Sequence, residues 1–110
     1  MAERFGLLLA LALLPSLAVA EISAARQAQL RHMLTHDCGS CHGLRMNGGL
    51  GPALTPAKLA NREARALAAI ILHGVPGTPM PPWRALMSAE EARWLAELMK
   101  QNSPNGSPKP

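Results

Sequence analysis

The sequence predicts a single all-α domain, with three to four helices joined by long loops. Apolar residues recur at helical spacing in three separate segments of the chain. The stretches between these segments are rich in glycine, proline and asparagine, which favour loops. No segment shows the two-residue alternation of a half-buried strand, and 110 residues suffice for one domain.

Residues 1–20 are expected to be a cleaved secretion signal. Arg4 gives a positive start, residues 5–14 form an apolar run, and Ala18 to Ala20 has the small-x-small pattern that signal peptidase accepts. The run is shorter than the roughly 20 residues of a membrane-spanning helix. We therefore expect no stable membrane insertion after cleavage, with an uncleaved anchor as the alternative. The folded domain would span residues 21–101.

The first two helices are placed by their ends and their apolar spacing. Ser23 can cap a helix that runs to His36, with Leu30, Met33 and Leu34 on one face. A second helix is expected over residues 62–73, where Gly74 stands at the position of a C-terminal cap. Its inner face would carry Leu67, Ile70 and Ile71.

The last helix opens with a capping box, because Ser88 can cap it and Glu91 can reach back to the cap. Its inner stripe would comprise Trp94, Leu95, Leu98 and Met99. Residues 37–56 and the proline-rich residues 75–83 are expected to be loops. The polar, proline-rich residues 102–110 predict a disordered tail.

The composition leaves the centre of this small domain short of bulky side chains. Only Trp83 and Trp94 remain as aromatic residues after the signal, and chains of this size commonly depend on disulfides, metals or cofactors. The formal net charge is +4. Because the basic residues are scattered and the chain carries a secretion signal, nucleic acid is excluded as a partner and an acidic protein is favoured.

The only two cysteines lie three residues apart and are followed directly by a histidine, in Cys38-Gly39-Ser40-Cys41-His42. This order is the attachment pattern of haem c. Two thiols one helical turn apart can bond both vinyl groups at one porphyrin edge, and the next residue brings an imidazole to the iron. The sequence therefore predicts one haem c bound covalently by Cys38 and Cys41 and ligated by His42.

Three other interpretations of the motif fit the sequence less well. A thioredoxin-like cysteine pair needs a βαβ setting, which the pattern lacks. A zinc knuckle needs four spaced ligands, and no second Cys/His pair has that spacing, although His32, His36 and His73 are available. A structural disulfide suits a secreted chain but explains neither His42 nor the long loops.

Met80 is the predicted second axial ligand of the iron. It lies between prolines in residues 77–82, a stiff loop that loses little entropy when it holds a thioether in place. A His/Met pair raises the reduction potential and suits electron transfer. Met46, in a loop nearer the motif, is the main rival and His73 a lesser one. Core packing is expected instead for Met33, Met87 and Met99.

The proximal histidine also needs an acceptor for its second ring nitrogen, which fixes the tautomer. Residues 47–52 form a glycine-rich turn at a suitable chain distance from His42. We expect the Pro52 carbonyl to accept that hydrogen bond, whereas an ordinary turn is the alternative.

Four features recur together from His36 to Met99: a Cys-x-x-Cys-His motif near the end of a first helix, a Gly-Pro turn, a methionine loop and a closing helix with an aromatic residue. In these the sequence resembles the class I cytochromes c. It is more closely similar to the small cytochromes c-55X encoded beside cytochrome cd1 nitrite reductases of denitrifying bacteria. The stretches that carry this likeness are residues 37–43, 48–54, 76–83 and 91–94.

The resemblance implies a class I cytochrome c fold around one haem, in the periplasm. It implies ligation of the iron by His42 and Met80, with His42 held by the Pro52 carbonyl. Family members are implicated in giving electrons to cytochrome cd1 nitrite reductase and in maturation of its haem d1. Near the haem edge, lysines are scarcer here than in mitochondrial-type members. Arginines such as Arg45, Arg62 and Arg84 would therefore contact a partner instead.

The leading hypothesis is a one-electron carrier, not an enzyme, that gives electrons to cytochrome cd1 nitrite reductase or another periplasmic redox protein. The alternative is an accessory redox role in haem d1 biosynthesis. A third hypothesis, an enzyme or gas sensor with an open iron position, requires that Met80 does not bind the iron.

Overall fold

The computed structural model describes Gly6, residues 12–15 and residues 21–101. The expected signal over residues 1–20 lies mostly outside this part of the chain, and the expected tail over residues 102–110 lies wholly outside it. Within the described ranges every regular element is a helix, which confirms the all-α prediction. No helix in these ranges is long and apolar enough to cross a membrane.

One helical stretch carries the chain through the cysteine motif. It consists of α1 (Ala24–Met33), a π-helical turn (Leu34–Cys38) and α2 (Gly39–His42). Ser23 caps it as predicted, since its hydroxyl accepts a hydrogen bond from the Arg26 backbone N–H at 3.1 Å.

The prediction of a loop from Asp37 onward was wrong for the motif itself. The Gly39 N–H donates to the Leu34 carbonyl across the π-helical turn, so the helix continues through two weak helix formers. The helix ends only at Gly43, whose φ of +92° leaves the helical region. The motif is thus part of a rigid element.

Two short helices in the middle of the chain begin or end at residues that commonly mark helix ends. The helix α3 (Pro56–Leu59), which the sequence analysis did not predict, has Pro56 in its first turn, and the Thr55 hydroxyl accepts from the Lys58 N–H at 3.4 Å. The helix α4 (Ala64–His73) starts two residues later than predicted. It ends at Gly74, as expected.

The helix α5 (Ala89–Gln101) closes the fold. The predicted capping box is confirmed, because the Ser88 N–H donates to a Glu91 carboxylate oxygen at 2.9 Å and the Glu91 N–H donates to the Ser88 hydroxyl at 3.1 Å.

The core lies where α5 packs against α4, α3 and α1. Three methionines pack as predicted, since Met87 and Met99 are buried in this core and Met33 is partly buried against it. Trp83 and Trp94 are also only partly buried. The fully packed apolar residues are Leu30, Leu34, Met46, Leu59, Leu67, Ala68, Met87, Ala92, Leu95, Ala96, Leu98 and Met99.

An ion pair joins the first helix to the last. The Arg26 guanidinium donates to the Glu91 carboxylate and, through another nitrogen, to the Leu86 carbonyl oxygen at 2.7 Å. The hydrogen bond from Arg26, followed by the one from the Ser88 backbone, holds the pKa of Glu91 below its ordinary value.

The variant Glu91→Gln should have a lower Tm than the parent protein at pH 7, because glutamine can keep the capping box but not the ion pair. A carboxylate whose pKa is lowered by folding stabilises the folded state above its unfolded pKa of about 4.3, and this contribution is lost as the pH falls through the folded pKa. The Tm difference should therefore shrink below about pH 4. Thermal unfolding followed by circular dichroism from pH 3 to 8 measures it.

Glu90→Gln, at an exposed position in the same first turn, is the matched control and should behave like the parent across that range. An equal loss of Tm in both variants at pH 7 would contradict a specific role for the Arg26–Glu91 pair.

Candidate haem site

The helical stretch presents the motif to one side of the fold. Cys38 ends the π-helical turn, and Cys41 and His42 follow in α2. Both cysteines are free thiols of intermediate exposure, and both line the same cavity as His42. No disulfide joins them in this structure.

The other interpretations of the motif also find no support. In the described part of the chain there is no strand, so the cysteines do not lie in a βαβ unit. Among the same residues no group of three or more His, Cys, Asp and Glu side chains is placed to hold a metal ion. A zinc knuckle is thereby excluded for residues 21–101.

The loop after Gly43 folds back onto the end of α2. The last carbonyls of a helix have no partners within it. Here the Gly51 N–H donates to the Cys41 carbonyl and the Gly48 N–H to the His42 carbonyl, each at 2.8 Å. The glycine-rich turn is thus held against the motif by the backbone of the motif itself.

This return brings Pro52 to the imidazole of His42. The distance between His42 Nδ1 and the Pro52 carbonyl oxygen is 2.7 Å. A carbonyl can only accept, so Nδ1 carries the proton and, in the neutral ring, Nε2 keeps a free lone pair. His42 is buried, and this geometry leaves its Nε2 as a metal-binding nitrogen.

Gly51 leaves space for the imidazole ring of His42 because it has no side chain. A β-carbon at this position would lie 2.9 Å from His42 Cε1 and 3.0 Å from Nδ1, closer than carbon atoms normally approach. The turn therefore excludes a side chain at Gly51 while it supplies the acceptor at Pro52.

A cavity of about 900 Å³ opens beside the motif. Its walls come from the motif, the glycine-rich turn, α3, α4 and the proline loop. Most of the lining is apolar, and Lys58 and Arg62 add positive charge. Apolar lining residues include Leu50, Leu54, Leu59, Leu67, Ile70, Ile71, Val75, Trp83 and Met99.

Met80 reaches the cavity from a well-braced loop. The Val75 N–H donates to the Met80 carbonyl at 3.1 Å, and the Thr78 hydroxyl donates to the Val75 carbonyl at 2.7 Å. Gly74, with φ +66°, makes this approach possible, because a β-carbon there would lie 2.7 Å from the Met80 carbonyl oxygen. Met80 is half-buried and lines the cavity.

The two rivals of Met80 lie elsewhere. Met46 is fully buried in the core, with a left-handed backbone at φ +56°, and is not part of the cavity wall. His73 is exposed at the end of α4 and does not line the cavity either. Of the three candidates, Met80 alone faces the space beside His42.

Burial raises the pKa of the Cys38 thiol to about 11, and the neighbouring carboxylate of Asp37 adds to the effect. Near neutral pH the folded chain therefore presents Cys38 as a thiol and not as a thiolate. This shift cannot be predicted from the motif alone, because it depends on how the π-helical turn packs against the core.

The cavity fits the cofactor that the motif implies. It is large and mostly apolar, it contains two thiols separated by one helical turn, and it holds one imidazole nitrogen with a free lone pair. Lys58 and Arg62 suit the two carboxylates of a haem. This combination of an all-helical fold and a Cys-x-x-Cys-His cavity defines the class of c-type cytochromes.

Comparison with known proteins agrees. Residues 25–99 match the family model described as cytochrome c oxidase, cbb3-type, subunit III. The chain is 54% identical over 103 residues to cytochrome c55X of Pseudomonas aeruginosa, covering 89% of this chain and 87% of that protein. A solved structure titled c-type cytochrome NirC is 58% identical with a TM-score of 0.69, covering 71% of this chain and 92% of that one. The chain belongs to the cytochrome c55X family of electron-transfer proteins, whose cofactor is haem c.

A more distant relative is the dihydro-heme d1 dehydrogenase of Pseudomonas aeruginosa. It is 30% identical over 83 residues, which cover 76% of this chain and 17% of that protein. The likeness is therefore confined to a small part of the dehydrogenase.

Gly51→Ala should destabilise the holoprotein by about 1–3 kcal/mol, the usual cost of forcing extra volume into a packed site. It should also shift the NMR resonance of the His42 Nδ1 proton, because the new methyl group pushes the ring away from the Pro52 carbonyl. Chemical unfolding and proton NMR of the holoprotein measure the two effects.

Gly77→Ala is the matched control. Gly77 also has positive φ, at +80°, but a β-carbon there has no atom within 4 Å. This variant has backbone strain alone, about 1–2 kcal/mol, and should leave the His42 resonance in place. A resonance that moves equally in both variants would show that contact with the ring is not the cause.

Proposed function

We propose that this chain is a periplasmic monohaem cytochrome that passes single electrons to cytochrome cd1 nitrite reductase. The observation that carries the proposal is that Cys38, Cys41, His42 and Met80 line one cavity. The signal expected over residues 1–20 supports the periplasmic location, where covalent attachment of haem takes place.

Each of these residues has a distinct role in the proposal. Cys38 and Cys41 form thioether bonds to the two vinyl groups of one haem, and His42 presents Nε2 to the iron. Met80 would supply a sulfur ligand to the iron. Haem c, when bound, supplies an iron that gains or loses one electron.

The surrounding backbone suits this task. His42 is held by Pro52 at 2.7 Å, and the Met80 loop is held by hydrogen bonds at Val75 and Thr78. Two ligands fixed in this way move little when the iron changes charge, which favours fast electron transfer. If both side chains bind the iron, no coordination position would remain for a substrate, which favours a carrier over an enzyme.

The choice of partner rests on charge and on the family. The net charge of +4 and the exposed arginines Arg45 and Arg84 favour an acidic surface on the partner. Resemblance to the cytochromes c-55X implies cytochrome cd1 nitrite reductase. Interfaces of weak redox encounters are small, below about 1,200 Å², so a short-lived complex is expected.

One observation favours a second candidate function. The similarity to a dihydro-heme d1 dehydrogenase supports a role in haem d1 maturation, in which the protein would accept electrons from a d1 precursor during its last oxidation. The same site serves both roles, so only an experiment in the cell separates them.

Met80→Leu should abolish the weak far-red absorption band that marks a bond between methionine sulfur and ferric iron. Met46→Leu is the matched control, because Met46 lies in the core and leucine nearly conserves its volume. It should keep the band and cost less than about 1.5 kcal/mol of stability. Optical spectra of the oxidised proteins decide between the two methionines, and a band lost only in Met46→Leu would overturn the assignment.

The proposed function is tested by mixing reduced holoprotein with oxidised cytochrome cd1 nitrite reductase in an anaerobic stopped-flow instrument. We expect electron transfer at a rate that falls as salt screens the charge attraction. Failure to reduce the enzyme would refute the donor role. In a strain that lacks the gene for this protein, a reductase that contains haem d1 but receives no electrons would support the donor role. A reductase without haem d1 would support the maturation role.

A further inference from the structure

Two histidines project together from the outer side of the first helical stretch. His32 lies in the last turn of α1, and His36 lies in the π-helical turn that follows. Their ring centroids are 4.2 Å apart, with an angle of 40° between the ring planes. Both residues are exposed.

The π-helical turn accounts for this close approach. Around an α-helix, residues four apart are rotated by about 40° relative to each other, because a turn holds 3.6 residues. A π-helical turn is wider, so residue 36 lies more nearly above residue 32. The local distortion therefore aligns the two side chains along one line of the surface.

Neither ring has another role in the part of the chain that the structure describes. No hydrogen bond joins either imidazole to residues 21–101, and neither residue lines the haem cavity. The nearest cation in sequence, Arg31, turns toward α5, where its guanidinium carbon lies 5.3 Å from the centroid of the Trp94 ring. The pair is therefore free to take a ligand from solvent.

We propose that His32 and His36 form a chelating site for a late first-row divalent metal ion. Imidazole nitrogens suit copper, nickel and zinc, and the affinity order of such sites places Cu(II) first. Among residues 21–101 no third His, Cys, Asp or Glu completes the group. Water fills the remaining positions, so the site binds reversibly. It is separate from the haem and does not depend on the proposed electron acceptor.

Binding at this pair spans the junction between α1 and the π-helical turn. An ion held by both rings stabilises the folded protein in proportion to its occupancy. The segment it stabilises leads directly into the cysteine motif.

The test uses the mature, oxidised holoprotein, so that Cu(II) finds no reduced haem to oxidise. Titration with Cu(II) by calorimetry should give one equivalent bound, and the electron paramagnetic resonance of the bound copper should show coupling to two imidazole nitrogens. Zn(II), which has no redox chemistry, should raise the Tm. His32→Ala and His36→Ala should each weaken Cu(II) binding by about tenfold or more, because one arm of the chelate is lost.

His73→Ala is the matched control, since His73 is an exposed histidine at the end of another helix. It should leave the affinity, the copper spectrum and the Zn(II)-induced Tm shift unchanged. The inference falls if the holoprotein binds no Cu(II), or if the double variant of His32 and His36 keeps the bound equivalent. It also fails if His73→Ala is the variant that loses Cu(II) binding. Because both tested residues are exposed and alanine favours helices, folding of the variants is checked by circular dichroism.

Discussion

The hydrogen bond between His42 Nδ1 and the Pro52 carbonyl, 2.7 Å long, is the constraint around which the site is built. It requires α2 to stop at Gly43, the loop to turn back, and Gly51 to lack a side chain where it passes the ring. It also decides which ring nitrogen can bind a metal. Because Nδ1 carries the proton that is donated to the Pro52 carbonyl, Nε2 keeps a free lone pair in the neutral ring. A helix end, a turn and a tautomer are thus fixed by one contact.

The rest of the domain leaves room beside that contact. Most of the packed core residues lie on the sides of α1, α3, α4 and α5 that meet one another, and this core borders a cavity of about 900 Å³, with Leu59, Leu67 and Met99 belonging to both. Apolar side chains around such a space lack partner atoms, which forfeits dispersion energy. A large apolar cofactor supplies those atoms, so the shortage of aromatic residues in the sequence and the cavity in the fold have the same explanation.

Local signals in the sequence predicted local features of the structure. Ser23 and the Ser88–Glu91 capping box are confirmed because a cap depends on residues within one turn. The stripe Leu67, Ile70 and Ile71 faces inward, and all three residues border the cavity, although Ile70 is not part of the packed core. Features that depend on packing between distant parts of the chain were not predicted, or were predicted as the wrong kind of element. The helical continuation through Gly39 needs a hydrogen bond across a π-helical turn, for which no residue pattern was available.

The two loop methionines illustrate the same limit. Met46 and Met80 both lie among glycines and prolines, and sequence distance from the motif favours Met46. Only the fold separates them, because hydrogen bonds from Met46 to Gly43 and from Leu54 to Met46 turn that side chain into the core. The stiffness of the proline frame indicates the methionine that lines the cavity, because it describes how a side chain is held and not how near it lies along the chain.

The pairing of Arg26 with Glu91 joins positions 65 residues apart. Cys38 packs against the core to which α5 contributes Ala92, Leu95 and Met99. Until the last helix packs against the first, this thiol is uncovered, so the haem is most easily joined to a chain that has not finished folding.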